Sequence, residues 1–327
     1  MDSLTQIVLG ASVAVVCVPQ PAKRKAAVIG AILGTLPDLD VFIDYGDAVA
    51  NFTYHRGFSH SLLVLIPLSL VLWILLKRWY RPVQDAPIPW LLAISLALIT
   101  HPLLDAHTAY GTQLFWPLSS PPVSWSTIFI IDPLYTLPLL IGTVLILIKP
   151  SKAWTNKLLS AGLIISSSYL GWTWLAKFSV DSHVLASLDT QKAKLFTTPT
   201  PFNSLLWRVV VLQEDQYLEG FYSLLNPDRS IQFKSFDLNK ELLLQTQHLN
   251  AVSRLQWFTQ GFLAGAIVDK QIVISDLRMG FTENYVFSHA VAKVEHPHFH
   301  EIESVLLPFQ FKPEALSFVW ENLTKSP

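Results

Sequence analysis

Apolar residues are blocked in the first half of this chain and broken into strand-length runs in the second. Residues 4–18 are apolar apart from Thr5, Gln6 and Ser12, and Pro19-Gln20-Pro21 ends the run. Residues 26–36 form a shorter run, ended by Pro37. Residues 62–76 and 90–104 follow, the latter interrupted only near its end by His101. Two longer runs occupy 128–148 and 158–176. A spanning helix needs roughly 20 residues, within a range near 17–25. The last two runs reach that length outright. The 15-residue runs reach it only if their polar ends are included, and 26–36 reaches part way. The pattern predicts an α-helical polytopic membrane domain of about five to six segments, the first two short.

From about Lys177 the pattern changes. Residues 205–212 and 217–225 are strand-like, rich in β-branched and aromatic side chains. Residues 230–236 alternate, and 239–249 suits a helix. Residues 266–274 and 285–294 read as two further strands joined through a turn containing Gly280, and 313–323 as a terminal helix. The expected organisation is a membrane-embedded domain over 1–176 and a soluble α+β domain over 177–327.

Composition sharpens that division. The 327 residues are 51% hydrophobic and 14% charged, with mean hydropathy +0.39. A soluble chain carries about a quarter charged residues. The deficit lies in residues 1–176, which hold 18 charges and no Glu; the first is Glu214. A net charge of −1 gives no basic patch to track phosphates, which argues against a nucleic-acid partner. The single cysteine, Cys17, excludes an internal disulfide. Met1-Asp2-Ser3 lacks the basic start of a signal peptide, so the first run reads as a retained segment.

Basic residues mark the cytoplasmic ends of spans. Lys23-Arg24-Lys25, Lys77-Arg78-Arg81 and Lys149-Lys152-Lys157 fall in alternate loops. Nine of the ten basic residues before position 177 therefore share one side, and the tenth is Arg56. Six segments follow, with the N-terminus and the C-terminal domain non-cytoplasmic. Asp38, Asp40, His55, His60, His101 and Asp105 then share the non-cytoplasmic face.

Those six residues carry the candidate chemistry. Ionisable groups at membrane depth are costly and point to function. His101-Pro-Leu-Leu-Asp105 is an i, i+4 pair, one face of a helix. His55 and His60 need a turn between them, which Gly57 permits. Asp38 and Asp40 can point the same way from a loop. Three histidines and three carboxylates suit a divalent metal: Zn, with Mn or Fe as alternatives, as one or two ions. Asp38, Asp40 or Asp105 could take a proton from activated water. Arg56 suits an anionic substrate group, and Ser59 and Ser61 can orient the histidines. His107 lies beside the site but off the i, i+4 spacing, so it would support rather than ligate. Asp44 and Asp47 read as solvated loop residues, and Asp132 as a helix cap. The His296, His298, His300 cluster reads as a polar edge rather than a metal site.

Met1-Asp2-Ser3-Leu4-Thr5, Leu36-Pro37-Asp38-Leu39-Asp40, His55-Arg56-Gly57-Phe58-Ser59-His60-Ser61 and His101-Pro-Leu-Leu-Asp105 together resemble the YdjM-like family. Its members are bacterial inner-membrane proteins described as metal-dependent hydrolases. The resemblance covers roughly residues 1–150. It implies an integral inner-membrane protein with these His and Asp residues as metal ligands, and it implies no particular substrate. Many members carry His after the early Thr, where this chain has Gln6, a poor metal ligand. Either Gln6 supports the ligands from outside, or the site is altered.

The expected function is an integral membrane metal-dependent hydrolase acting on a phosphoester or similar bond of a lipid, lipid-linked or membrane-proximal substrate. Two alternatives stand. One is a non-catalytic scaffold or ion-binding protein. The other is a metal-free lipid phosphatase with a histidine nucleophile, similar to the type-2 phosphatidic acid phosphatases. The second is weakened because Lys77, Arg78 and Arg81 fall on the opposite face from His60 and His101.

Overall fold

The computed structural model describes residues 1–188, 194–281, 284–295, 298–310 and 314–324. The chain divides into two compact units.

The first unit comprises Met1–Phe42, Arg56–Thr108 and Thr112–Trp174. Helix α1 (Ser3–Cys17) starts where Asp2 accepts a hydrogen bond from Thr5 N, an N-cap. Helix α2 (Lys23–Thr35) lies tightly against it. A Cβ built on Gly10 would stand 2.3 Å from the Gly30 carbonyl oxygen, and one on Gly34 2.6 Å from that of Gln6. The backbones meet because these positions carry no side chain, the logic of small residues spaced by four. A 3-10 turn, Leu36–Phe42, follows α2, and a second, Phe58–His60, precedes α4 (Leu62–Trp79). Helix α5 (Arg81–Asp85) is short; α6 (Pro87–Ala106) and α7 (Pro133–Ile148) complete the apolar set, with the start of α8 (Ala153–Ser187).

Among the described residues three helices are long and apolar enough to cross a membrane: α4, α6 and α8. Helices α1 and α7 are apolar but only 15 and 16 residues long. The 128–148 run becomes a helix only from Pro133, because Asp132 Oδ1 accepts from Leu134 N and Tyr135 N and fixes the start there. The 158–176 run grows to 35 residues because Lys177 and Asp181 pair one turn apart instead of ending it. Helix α4 buries only Leu65 and Ser69, leaving Leu63, Ile66, Leu70 and Ile74 exposed, as a lipid-facing helix would. The core is apolar and centres on Leu9, Leu65, Ile94, Leu98 and Leu139.

The second unit comprises Ile43–His55, Ala109–Gly111 and Leu175–Pro327. It contains α3 (Ala48–Tyr54), capped by Asp47, and two four-stranded antiparallel sheets. The first has the order β1 (Lys194–Pro199), β2 (Leu206–Leu212), β3 (Gln216–Ser223), β4 (Lys234–Asp237). Trp207, Val209 and Val211 on β2 pack with Val180 and Val184. The predicted helix at 239–249 is α9 (Lys240–Thr246), and a further helix, α10 (Asn250–Phe258), follows it. The predicted strand at 266–274 is a hairpin, β5 (Leu263–Val268) and β6 (Gln271–Asp276). Asp269 and Lys270 both take positive φ at its tip, the two-residue turn that matches strand twist.

A short ribbon pairs β7 (Gly280–Phe281) with β8 (Asn284–Tyr285). Strands β9 (Ser288–Glu295) and β10 (His298–Leu306) join β6 and β5 in the order β10-β9-β6-β5, and α11 (Glu314–Thr324) ends the unit. Phe52 of α3 sits among Tyr110, Phe258 and Phe287. His296 and the His298 side chain lie outside the described residues. His300 is exposed and 3.4 Å from Glu295.

Candidate metal centre

Four ligating side chains of the first unit converge: Asp38, His60, His101 and Asp105, whose ligand atoms all lie within 4.8 Å of one another. Each arrives from a different local device. His101 and Asp105 project from one face of the last turns of α6. Asp38 comes from the 3-10 turn after α2, and His60 from the one before α4.

Both imidazoles are held from behind. His101 Nδ1 lies 2.6 Å from the Gly34 carbonyl oxygen, which only accepts, so Nδ1 carries the proton. Ser59 Oγ gives its single proton to Asp40 Oδ2 at 2.6 Å, and so accepts from His60 Nδ1 at 2.9 Å. In each neutral ring the lone pair is then on Nε2. These two Nε2 atoms face each other at 3.1 Å. Asp38 Oδ1 stands 3.4 Å from each, and Asp105 Oδ2 3.2 Å from His60 and 3.4 Å from His101.

Ligand atoms around a tetrahedral ion bound at roughly 2.0–2.1 Å are spaced about 3.3 Å apart. Five of the six separations among these four atoms run from 3.1 to 3.4 Å, and all lie within 4.8 Å. Asp105 Oδ2 is buried and has no hydrogen-bond partner. Burial pushes the Asp38 carboxyl up, but hydrogen bonds from His101 and His60 and the charge of a protonated His101 outweigh it and hold it below its ordinary value. The donor set and the orphaned oxygen fit a cation, and the cluster could hold a metal ion.

The other candidates occupy supporting places. Asp40 Oδ2 takes Arg56 N at 2.9 Å as well as Ser59, so it buttresses His60 at 3.8 Å. Arg56 is 4% exposed, with Nε 3.3 Å from Asp105 Oδ2 and Nη1 donating to Thr108 Oγ1. Its φ of +60° makes Arg56, not Gly57, the left-handed residue of the motif. Gln6 Nε2 donates to Asp105 Oδ1 and to the His101 carbonyl. The Met1 amino nitrogen also reaches Asp105 Oδ1. Ser61 caps α4 and donates to the Trp116 carbonyl.

His107 is occupied on both nitrogens: Nδ1 donates to the Leu103 carbonyl, and Nε2 accepts from Trp174 Nε1. Its ring meets Trp125 edge-on at 4.6 Å, which makes it a packing residue. His55 is not in the quartet. It groups with the second unit, where its ring meets Tyr110 at 5.6 Å. Asp132 is a buried cap that also accepts from Tyr169 Oη. The Gly34 carbonyl was not foreseen as part of the site; the Gly30-Ala-Ile-Leu-Gly34 spacing was its readable signal.

The fold and site define a helical membrane protein with a buried His and Asp cluster able to hold a metal ion. More particularly, the chain belongs to the YdjM inner membrane protein family, whose sequence model matches residues 1–180. It is similar to the uncharacterized protein YfhP of Bacillus subtilis, 31% identical over 140 residues, 41% of this chain and 42% of that protein. It is also similar to the inner membrane protein YbcI of Escherichia coli, 36% identical over 88 residues, 27% of this chain and 49% of that protein. The chain thus spans under half the length of these two relatives. No solved structure matches.

Proposed function

We propose that the protein is a membrane-embedded, metal-dependent hydrolase that cleaves a phosphoester or similar bond of a lipid or membrane-proximal substrate. One observation carries this reading: two imidazole Nε2 atoms with fixed tautomers face each other at 3.1 Å beside two carboxylate oxygens. Two lone pairs so close repel unless a cation lies between them. The spacing suits one ion, and the two-His, two-carboxylate set suits Zn, with Mn or Fe as the other choices. Such an ion would supply a bound water of lowered pKa, near 7 instead of 15.7.

The chain's own residues divide the remaining work. Asp38 is the one member of the quartet whose side chain is partly exposed, 20% against 0% for the others. It is the side from which substrate enters and the carboxylate that can take a proton. Asp105 is held by Arg56, Gln6 and the Met1 amine and stays a ligand. Arg56 acts through Asp105, balancing its charge. Asp40 and Ser59 fix the tautomer of His60.

Position supports the substrate class. His60 lies two residues before α4, and Asp105 is the penultimate residue of α6. The site is therefore at the ends of two candidate spans, at the depth of headgroups. Leu39, Val41 and Phe42 flank Asp38 and Asp40 and are exposed, as residues dipping among lipids would be. The alternation of basic loops supports a non-cytoplasmic position for this face.

Four protein ligands on one ion also suit a closed, non-catalytic site, so ion binding without turnover is the second reading. Metal analysis of protein purified without chelator, followed by turnover of phosphoester substrates in wild type and Asp38→Asn, separates the two. Metal with turnover that Asp38→Asn abolishes supports the hydrolase. Metal in both proteins and no turnover of any phosphoester or amide supports ion binding. Absence of metal defeats both.

A further inference from the structure

The second unit contains a cleft of about 190 Å³ among β3, β4 and α11, remote in sequence from the quartet. Three phenylalanines form part of its wall, beside polar Ser223, Asn226, Ser230, Gln232 and Asn322. Phe221 and Phe318 meet edge-to-face at 4.8 Å, and Phe236 adds a third ring. Two cations, Arg229 and Lys234, line it and are exposed. Among the described residues neither forms an ion pair. The one acid in the lining is Glu219, which is buried and accepts from Arg208 Nε at 2.7 Å. Arg208 balances the Glu219 charge, so that acid is not left to offset the two rim cations.

We propose that this cleft binds a small aromatic carboxylate. Charge selects an anion: Glu219, directly across the strand pair from Lys234, is already paired with Arg208, which leaves Arg229 and Lys234 as the unbalanced charges of the lining. A guanidinium matches a carboxylate through two parallel hydrogen bonds. The walls select a flat apolar body, since phenyl rings favour edge and offset contacts with another ring. Size selects a single ring. An apolar cavity of roughly 150 Å³ holds one benzene, and drug-sized ligands occupy about 300–1,000 Å³. The 190 Å³ here takes one ring and its charged substituent. The C-terminal unit thereby gains a ligand-binding role separate from the chemistry at the quartet.

The test uses 4-fluorobenzoate and the full chain in an uncharged detergent, with fluorine NMR line broadening as the readout. Broadening should saturate with protein and exceed that of detergent alone. Fluorobenzene and acetate, carrying the ring or the anion only, should each compete poorly. The Arg229→Gln/Lys234→Gln double variant should weaken binding about tenfold or more. Both side chains are exposed and unpaired, so the variant should unfold at the wild-type temperature. Phe318→Ser should weaken binding through the wall. His60→Ala should leave it unchanged, which separates this site from the metal centre. No saturable broadening, unchanged binding in the double variant, or equal competition by acetate would each overturn the proposal.

Discussion

His60 Nε2 and His101 Nε2 are 3.1 Å apart, and both side chains are fully buried. Backing groups fix both lone pairs inward: Ser59 for one ring and the Gly34 carbonyl for the other. Two such acceptors in contact in a low-dielectric interior need a proton or a metal ion between them.

Metal content follows directly. Protein purified without chelator should carry about one divalent ion per chain. His60→Ala and His101→Ala should each reduce it to background, while His55→Ala should keep it. Elemental analysis decides, and metal retained by both first variants would sink the assignment.

Ser59→Ala leaves every ligand in place but frees His60 Nδ1 and removes the link to Asp40. Loss of such an orienting partner costs about 10–100-fold in metal affinity. A chelator competition on wild type and variant measures it. An unchanged affinity would mean that the relay does not orient the ring.

The α1–α2 contact tolerates no side chain at Gly10 or Gly30. An added Cβ would lie 2.3 Å from the opposing carbonyl oxygen at either position. Gly30→Ala should therefore destabilise by about 1–3 kcal/mol or more, by overpacking. The same shift moves Gly34 and loosens His101. Gly171 is the control: it lies within α8, nothing stands within 4 Å of its Cβ position, and Ala there should be neutral or stabilising. Thermal unfolding in detergent compares the two.

His289 in β9 is 1% exposed, with neither ring nitrogen hydrogen-bonded and Phe52 packed at 5.4 Å. Burial pushes its pKa down to about 4, against partial opposition from Asp276 and Asp47. The folded-state value is thus below the ordinary 6.5, and between these values the unfolded chain holds more protons. Stability is full above pH 6.5 and falls as the pH drops toward 4, by on the order of 2–3 kcal/mol. His289→Phe should remove most of that slope. Unfolding temperatures of both proteins between pH 7 and pH 4.5 test this; parallel slopes would contradict it.

How much of this was readable is best seen residue by residue. The apolar blocks, the change of texture near Lys177 and the i, i+4 pair His101 and Asp105 are local patterns, and local patterns survive in a linear string. The 205–212 and 217–225 runs appear as β2, buried along nearly all its length, and β3, which alternates, because both are rich in β-branched and aromatic side chains. The 266–274 run misled because Asp269-Lys270 was too short a break to read as a turn, although its positive φ values make it one. His55 looked equivalent to His60 in the motif. They lie five positions apart with a left-handed Arg56 between them, and the chain carries His55 into the second unit with α3.

The sequence by itself determined that the first half is apolar and helical, that the second is sheet-rich, and which residue types are available to a metal. Hydrophobic periodicity and side-chain chemistry fix those properties without reference to distant neighbours. Tertiary structure alone decided which candidates meet. It brought Asp38, His60, His101 and Asp105 together, turned Asp40 toward Ser59 and Arg56, and gave His107 to two tryptophans. The physical reason is that ligand geometry depends on orienting partners far away in sequence. His101 points inward because Gly34, 67 residues earlier, offers its carbonyl, and Gly34 comes close because Gly10 lets two helices touch.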